Sequence, residues 1–161
     1  MSEIITVGVA QIRNSTSPAV LRTILGSCVG ICIYDKTKKI GGMAHILLPN
    51  NQKGNTASLE KYADTAIPLL VKKLMQEGAK KEFMSAKIAG GASMFKFGSN
   101  IALGQIGDRN IEQTKIELQK LGITILVEDV GGNAGRVLDF FLEDGRLKVR
   151  AGGHEKMYYK V

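Results

Sequence analysis

Short runs of apolar residues, separated by polar or glycine-rich stretches, predict that strands make up most of this chain. The clearest pair of strands, Cys28–Tyr34 and Ile40–Leu48, flanks a polar, lysine-rich stretch and therefore predicts a β-hairpin. A turn of two or four residues drawn from Lys36–Lys39 would leave Cys28 and His45 on the same side of the sheet, because side chains alternate along a strand. Further strands are predicted at Ile4–Ala10, Leu21–Leu25, Ala86–Ala89, Ile123–Val127, Val137–Leu142 and Leu147–Arg150, and a loop at Asn14–Pro18.

Two longer segments have the spacing of a helix, with apolar residues recurring every three or four positions. They cover Leu59–Met75 and Arg109–Leu121, and a glycine follows closely after each of them. Pro68 falls inside the first segment, where we expect it in the first turn after a Thr65 cap or at a kink. Because strands and helices do not alternate regularly, the pattern predicts an α+β sandwich with mixed or antiparallel sheets and two main helices.

The length and cysteine content of the chain predict a single domain in a reducing compartment. Its 161 residues predict a single domain spanning residues 1–161, large enough to bury a core without disulfides or metals. The beginning of the chain lacks the pattern of a signal peptide, and no apolar stretch is long enough to span a bilayer. Two cysteines in such a chain favour a reducing compartment, so we expect a cytoplasmic protein without membrane insertion.

The formal net charge of +7 bears on possible partners. The basic residues are not interleaved with aromatic residues and form no known nucleic-acid-binding signature, so we do not expect nucleic acid as a partner. A basic surface does favour an acidic partner. The lysine clusters are otherwise explained as a solvated surface.

The tripeptide Gly26-Ser27-Cys28, together with His45, is the group of residues in this sequence best suited to catalysis. A thiolate attacks carbonyl carbon well, and an imidazole can take the thiol proton and later protonate a leaving amine. A Gly-Ser turn would expose the thiol that follows it and leave backbone N–H groups free to bind an oxyanion. Cys28 and His45 also lie in apolar runs, where a packed cysteine and a hydrogen-bonded core histidine are the commoner cases.

Other kinds of site explain the sequence less well. The glycine-rich stretches Gly90–Ser93 and Gly131–Arg136 lack the Lys-Ser/Thr ending of a phosphate-binding loop. Ser27 is a possible nucleophile, but a hydroxyl is poorer than a thiol near neutral pH. Four residues could form a zinc site, but the last of them is far along the chain, whereas structural zinc sites usually pair their ligands closely. These four residues are Cys28, Cys32, His45 and His154.

Five separated motifs of this chain closely resemble the CheD family of bacterial and archaeal chemotaxis proteins. They are Leu25–Val29, Gly42–Pro49, Lys87–Phe95, Ile106–Asn110 and Asp129–Arg136. The motifs occur in the right order, and the resemblance covers nearly the whole chain. It implies a layered α/β/β sandwich, which the family shares with the cytotoxic necrotising factor toxins.

The resemblance also implies an activity, that of a protein-glutamine glutaminase (an amidohydrolase, EC 3.5.1.44). Such enzymes convert glutamine side chains of methyl-accepting chemotaxis receptors to glutamate and release ammonia, through a Cys-His thioester mechanism. By the resemblance, the catalytic residues are Cys28, His45 and Thr23, with Gly26 and Ser27 forming the turn at the oxyanion. It implies a CheC-type phosphatase as a second partner, and neither a metal nor an organic cofactor is expected.

Two other functions remain open at this stage. The chain could be a non-catalytic adaptor that binds and regulates a CheC-type phosphatase, or a cysteine peptidase that uses the same residues on a backbone amide. For a deamidase, we expect charge to assist recognition of glutamate-rich receptor helices. The first candidates for this role are Lys36, Lys38 and Lys39, which we expect to flank the opening near Cys28.

Overall fold

The computed structural model describes residues 2–93 and 105–161 and confirms that strands dominate the chain. Met94 and Phe95, which end one of the family motifs, lie outside these residues. The helices are α1 (Ala63–Gln76) and α2 (Ile106–Lys120), and short 3₁₀ turns cover Thr56–Lys61 and Lys81–Phe83. The strands are β1 (Ile4–Thr6), β2 (Gln11–Thr16), β3 (Val20–Leu25), β4 (Val29–Asp35), β5 (Ile40–Ile46), β6 (Met84–Gly90), β7 (Thr124–Val130), β8 (Arg136–Phe141), β9 (Leu147–Ala151) and β10 (His154–Tyr158).

The strands form two sheets, and the helices form a third layer. The inner sheet has the order β2-β5-β4-β6-β7, and the outer sheet has the order β1-β3-β8-β9-β10. On β4, Ile31 and Ile33 pack with residues of α1, whereas the alternating residues Cys32 and Tyr34 pack with residues of β8. The inner sheet therefore lies between the helices and the outer sheet, which confirms the α/β/β sandwich.

Both sheets are mixed, as predicted. In the inner sheet β6 and β7 are parallel and are joined across α2, and in the outer sheet β1 and β3 are parallel. The other strand pairs are antiparallel. No helix among the described residues is long and apolar enough to cross a membrane.

The β4–β5 hairpin has the register expected from its turn. Asp35 pairs with Ile40, so four residues, Lys36–Lys39, connect the strands. The Asp35 carboxylate stabilises this turn by accepting hydrogen bonds from the backbone and hydroxyl of Thr37. His45 consequently lies opposite Gly30, two residues beyond Cys28, which confirms that Cys28 and His45 share one face of the sheet.

The predicted loop at Asn14–Pro18 is wrong over most of its length, because β2 extends from Gln11 to Thr16 along the edge of the inner sheet. An edge strand tolerates this polar sequence, since alternate side chains face water. The predicted first strand is too long, because it ends at Thr6. The strand β10 was not predicted, and its first three residues are exposed.

The predicted helix boundaries also need correction. The helix α1 begins at Ala63 after the cap residue Tyr62, so Thr65 is not the cap. Pro68 is inside this helix and faces solvent, where its ring does not disturb the core. The second helix begins at Ile106, earlier than the predicted Arg109.

Candidate active site

His45 is held at the interface between the two sheets by a residue from the opposite sheet. Thr23 lies on β3 and is only 2% exposed, with its side chain facing the inner sheet. Its hydroxyl is 2.7 Å from Nδ1 of His45 and donates a hydrogen bond to the Val7 carbonyl at 2.6 Å. The single hydroxyl hydrogen is used by Val7, so Nδ1 must carry the hydrogen that it shares with Thr23.

This arrangement determines which nitrogen of His45 can act as a base. With the hydrogen on Nδ1, the neutral imidazole presents an unprotonated Nε2. Among the described residues, the buried Nε2 atom has no hydrogen-bond partner. A buried nitrogen without a hydrogen-bond partner destabilises the folded protein, and a catalytic role is one explanation for such an atom. The orientation of His45 therefore suits a general base.

Cys28 lies one residue before β4 and on the same face as His45. In the hairpin register it is the diagonal neighbour of His45, and such neighbours have Cα atoms about 7–8 Å apart, which a thiol and an imidazole can bridge. The expectation of an exposed thiol is wrong, because Cys28 is only 8% exposed. The outer sheet covers it, since Leu25 and Leu138 belong to the same buried cluster.

Gly30 allows the two sheets to approach closely beside His45. A β-carbon at this position would lie 3.0 Å from Cδ1 of Leu138 and 3.2 Å from Cδ1 of Leu25, both in the outer sheet. These distances are close to the limit for carbon atoms in contact. The absence of a side chain at position 30 therefore helps bring Thr23 within hydrogen-bonding distance of His45.

Burial keeps both candidate catalytic groups uncharged. It raises the pKa of the Cys28 thiol, although the backbone N–H of Cys28 itself, which lies beside the sulfur, opposes the shift. Burial also lowers the pKa of His45 below 6.5, and the nearby Val7 carbonyl partly opposes this shift. At neutral pH the pair is therefore a thiol beside a neutral imidazole, and the thiolate forms only when the imidazole takes the proton.

The Gly26-Ser27-Cys28 turn directs its carbonyl groups into the protein. The Gly26 carbonyl accepts from the backbone of Ala92 at 3.0 Å, and the Cys28 carbonyl accepts from the backbone of Gly91 at 2.8 Å. The Ser27 carbonyl accepts from Nδ2 of Asn110 at 3.1 Å.

The backbone N–H groups of the same three residues donate to no acceptor within residues 2–93 and 105–161. The Cys28 N–H belongs to the residue that carries the thiol, so it is close to any carbonyl group that the sulfur attacks. The turn therefore has the properties of an oxyanion-binding site.

A second group of contacts supports the strand beside the turn. Arg136 forms an ion pair with Asp129 at 3.0 Å and donates to the carbonyl of Gly90 at 3.5 Å. Tyr158 donates to the other carboxylate oxygen of Asp129. Gly90 has a φ of +107°, and a β-carbon there would collide with the Cys28 carbonyl. Asp129 is therefore a partner of the largely buried Arg136.

The lysines of the β4–β5 turn lie far from Cys28. Lys36–Lys39 connect β4 to β5 at the end of the hairpin opposite Cys28, roughly 25 Å away at the usual rise of a strand. The expectation that these lysines flank the opening is therefore wrong.

In the part of the chain that the structure describes, no three His, Cys, Asp or Glu residues are placed to hold a metal ion.

Sequence reasoning missed the role of Asn110 in this site. The residue appeared only as the end of a family motif, and nothing in the local pattern connects a helix residue to the Gly26-Ser27-Cys28 turn. In the structure it is fully buried and contacts the residue before Cys28. The buried side of α2 also carries Thr114 and Glu117, so a polar residue at position 110 does not stand out in the sequence.

Known proteins are similar to this chain over almost its whole length. The family model described as CheD chemotactic sensory transduction matches residues 47–151. A "Probable chemoreceptor glutamine deamidase CheD" from Desulfitobacterium hafniense is 48% identical over 155 residues, which cover 96% of this chain and 97% of the relative. The "Chemoreceptor glutamine deamidase CheD" from Halalkalibacterium halodurans is 48% identical over 153 residues, covering 93% of this chain and 94% of the relative.

A relative from Caldanaerobacter subterraneus, also named "Probable chemoreceptor glutamine deamidase CheD", is 45% identical over 159 residues and covers 98% of both chains. Among solved structures, that of the Bacillus licheniformis hypothetical protein YfiH has a TM-score of 0.48 with 16% identity, over 73% of this chain and 49% of that protein. The structural similarity is too low to bear on function.

Proposed function

Because this chain belongs to the CheD family, we propose that it is a protein-glutamine glutaminase that deamidates chemotaxis receptors. Its substrates are glutamine side chains of methyl-accepting receptors, and its products are glutamate and ammonia. The observation that carries this proposal is the hydrogen bond between Thr23 and His45, which leaves Nε2 of His45 unprotonated on the face that carries Cys28. The same residues are those that the family resemblance implies.

In the first half of the reaction, Cys28 attacks the glutamine amide. Nε2 of His45 removes the thiol proton as the sulfur bonds to the amide carbon, and the carbonyl oxygen becomes an oxyanion. The N–H groups of Ser27 and Cys28, which donate to no acceptor among the described residues, bind this oxyanion. His45 then gives its proton to the amide nitrogen, the C–N bond breaks, and ammonia leaves a thioester on Cys28.

In the second half, water hydrolyses the thioester. Nε2 of His45 takes a proton from the water as its oxygen attacks the thioester carbon, and the same N–H groups hold the oxyanion. The C–S bond then breaks, glutamate is released, and His45 returns the proton to the Cys28 sulfur. Thr23 keeps the imidazole in one tautomer throughout, as the third member of such triads does. Neither half requires a metal or an organic cofactor.

The family resemblance supports a proposed partner, and the free thiols support a proposed compartment. A CheC-type phosphatase is the proposed second partner, on the resemblance alone. Cys28 and Cys32 are both free thiols in the structure, which agrees with a reducing compartment, so the cytoplasm is the proposed location.

The test is to incubate the protein with a receptor signalling fragment, to measure ammonia and to map glutamine-to-glutamate mass changes. We expect ammonia to be released in equal amount to the glutamate formed, with the fragment left at full length. Cleavage of the fragment would indicate a peptidase instead. If the fragment is unchanged and the protein only binds and stimulates a CheC-type phosphatase, the adaptor function is the correct one.

A further inference from the structure

We infer that Asn110 is a positioning residue for the deamidation proposed above, because it orients the backbone amide of Cys28. The inference rests on the proposed function. Asn110 lies on α2, whereas Cys28 precedes β4 and His45 lies on β5, and the Asn110 side chain is fully buried. It is not expected to touch the substrate, so its effect on the reaction must pass through the residues that it contacts.

Both hydrogens of the Asn110 side-chain amide are used. Nδ2 donates to the Ser27 carbonyl at 3.1 Å and to the Leu47 carbonyl at 3.0 Å. Ser27 precedes Cys28, and Leu47 follows His45 by two residues. One carboxamide therefore ties the segment that carries the nucleophile to the segment that carries the base.

The contact with Ser27 controls the direction of an N–H group. The Ser27 carbonyl and the Cys28 N–H belong to one planar peptide group and point in opposite directions. When Asn110 holds the carbonyl towards α2, the Cys28 N–H must point away from α2. A hydrogen bond accepted by the carbonyl also strengthens the N–H of the same peptide group as a donor. Asn110 thus aims and strengthens the amide that we assign to the oxyanion.

The chemistry of the contact requires an asparagine. Reversal of the amide would place Oδ1 against two carbonyl oxygens, so Nδ2 has to face Ser27 and Leu47. The Oδ1 atom is buried and has no hydrogen-bond partner among the described residues, which makes this orientation costly in itself. An aspartate of the same shape would bring a carboxylate oxygen towards both carbonyl groups.

The test compares Asn110→Asp and Asn110→Ala with a matched control, Thr114→Val. Thr114 lies one turn later on α2, is also fully buried, and its hydroxyl has no partner among the described residues. Three properties are measured: kcat and KM for receptor deamidation, the ¹H–¹⁵N resonance of the Cys28 amide, and the rate at which iodoacetamide alkylates Cys28. Alkylation needs the sulfur but forms no oxyanion. Asn110→Ala removes the donors without adding repulsion, so it serves if Asn110→Asp does not fold.

We expect both Asn110 variants to lose about tenfold to hundredfold in kcat, less than the 10²–10³ lost when an oxyanion donor is removed outright. KM and the alkylation rate should stay close to those of the parent, the Cys28 amide resonance should move, and Thr114→Val should match the parent throughout. An unchanged kcat in both Asn110 variants would overturn the inference. A lower kcat with an unchanged amide resonance and faster alkylation would also overturn it, because that result indicates general loosening. A parent without deamidase activity would overturn the proposed function itself.

Discussion

The hydroxyl of Thr23 and the Nδ1 atom of His45 are 2.7 Å apart, although the two residues belong to different sheets. The substitution Thr23→Val keeps the shape of the side chain but removes this contact and the bond to Val7. The loss of a buried hydrogen bond costs about 1–3 kcal/mol, so we expect kcat to fall about fivefold to a hundredfold. Thr23→Ser retains the hydroxyl and should keep most of the activity.

The imidazole nitrogen resonances of His45 report the tautomer directly. In the parent, Nδ1 should carry the hydrogen, whereas in Thr23→Val the two tautomers should mix. A Thr23→Val variant with the full rate and a single Nδ1–H tautomer would show that the hydroxyl does not orient the base.

A second prediction concerns the close approach of the sheets at Gly30. The new methyl group in Gly30→Ala must displace Leu138 and Leu25, which should push the outer sheet and Thr23 away from His45. We expect a stability loss of about 1–3 kcal/mol, as for other overpacked positions, together with a lower kcat, measured by urea unfolding and by ammonia release.

Gly42 provides the matched control, because a β-carbon there would press on Leu70 on the helix side of the same sheet. Gly42→Ala should lower stability by a similar or larger amount and leave kcat unchanged. If Gly30→Ala and Gly42→Ala affect kcat equally, the spacing of the two sheets at Gly30 has no special role.

The pH dependence of the reaction should reflect a buried, neutral His45. Above its lowered pKa the imidazole is unprotonated and can accept the Cys28 proton, and below that pKa it cannot. Activity is therefore present at neutral pH and is lost as the pH falls through a value below 6.5. A profile of kcat/KM against pH measures this limb in the free enzyme. An acid limb centred above pH 6.5 would contradict the assignment.

The lowered pKa of His45 also makes the free energy of unfolding depend on pH. As the pH falls, the unfolded chain binds a proton at histidine before the folded protein does, since the pKa of His45 is lowered by folding. The stabilisation is present above about pH 6.5 and is lost as the pH falls through the folded pKa. Urea unfolding at several pH values should show a smaller loss between neutral and acidic pH in His45→Gln than in the parent.

The lysines at the β4–β5 turn should not affect the reaction. They lie roughly 25 Å from Cys28, well beyond the screening length of about 8 Å at physiological ionic strength. The variant Lys36/Lys38/Lys39→Gln should therefore have the same kcat/KM and the same salt dependence as the parent. A flatter salt dependence in this variant would show that the turn does contact the receptor.

The sequence predicted those parts of the site that depend on local pattern. A turn of two or four residues and strict alternation along the two strands predict Cys28 and His45 on one face, and the observed four-residue turn agrees. The exposure of Cys28 was predicted incorrectly, because the outer sheet that covers it is assembled from residues far along the chain, such as Leu138.

Contacts between layers could not be predicted from local pattern. Thr23 came from the family resemblance, since no spacing rule connects a residue of β3 to one of β5 in another sheet. Asn110 was overlooked for the same reason, because its partners are a turn and a strand end reached only in the folded chain. The sequence of the edge strand β2 predicts a loop, because its polar residues have no strand signature without knowledge of their neighbour β5.

The most direct test of the central claim is to measure receptor deamidation by Cys28→Ala and Cys32→Ala in parallel. Cys32 lies on the same face of β4 and is 1% exposed, with a pKa raised to about 12 by burial, so it is a matched thiol without catalytic access. We predict that Cys28→Ala forms no glutamate and releases no ammonia, while Cys32→Ala keeps most of the parent activity. Comparable turnover by Cys28→Ala and the parent would contradict the assignment of Cys28 as the nucleophile.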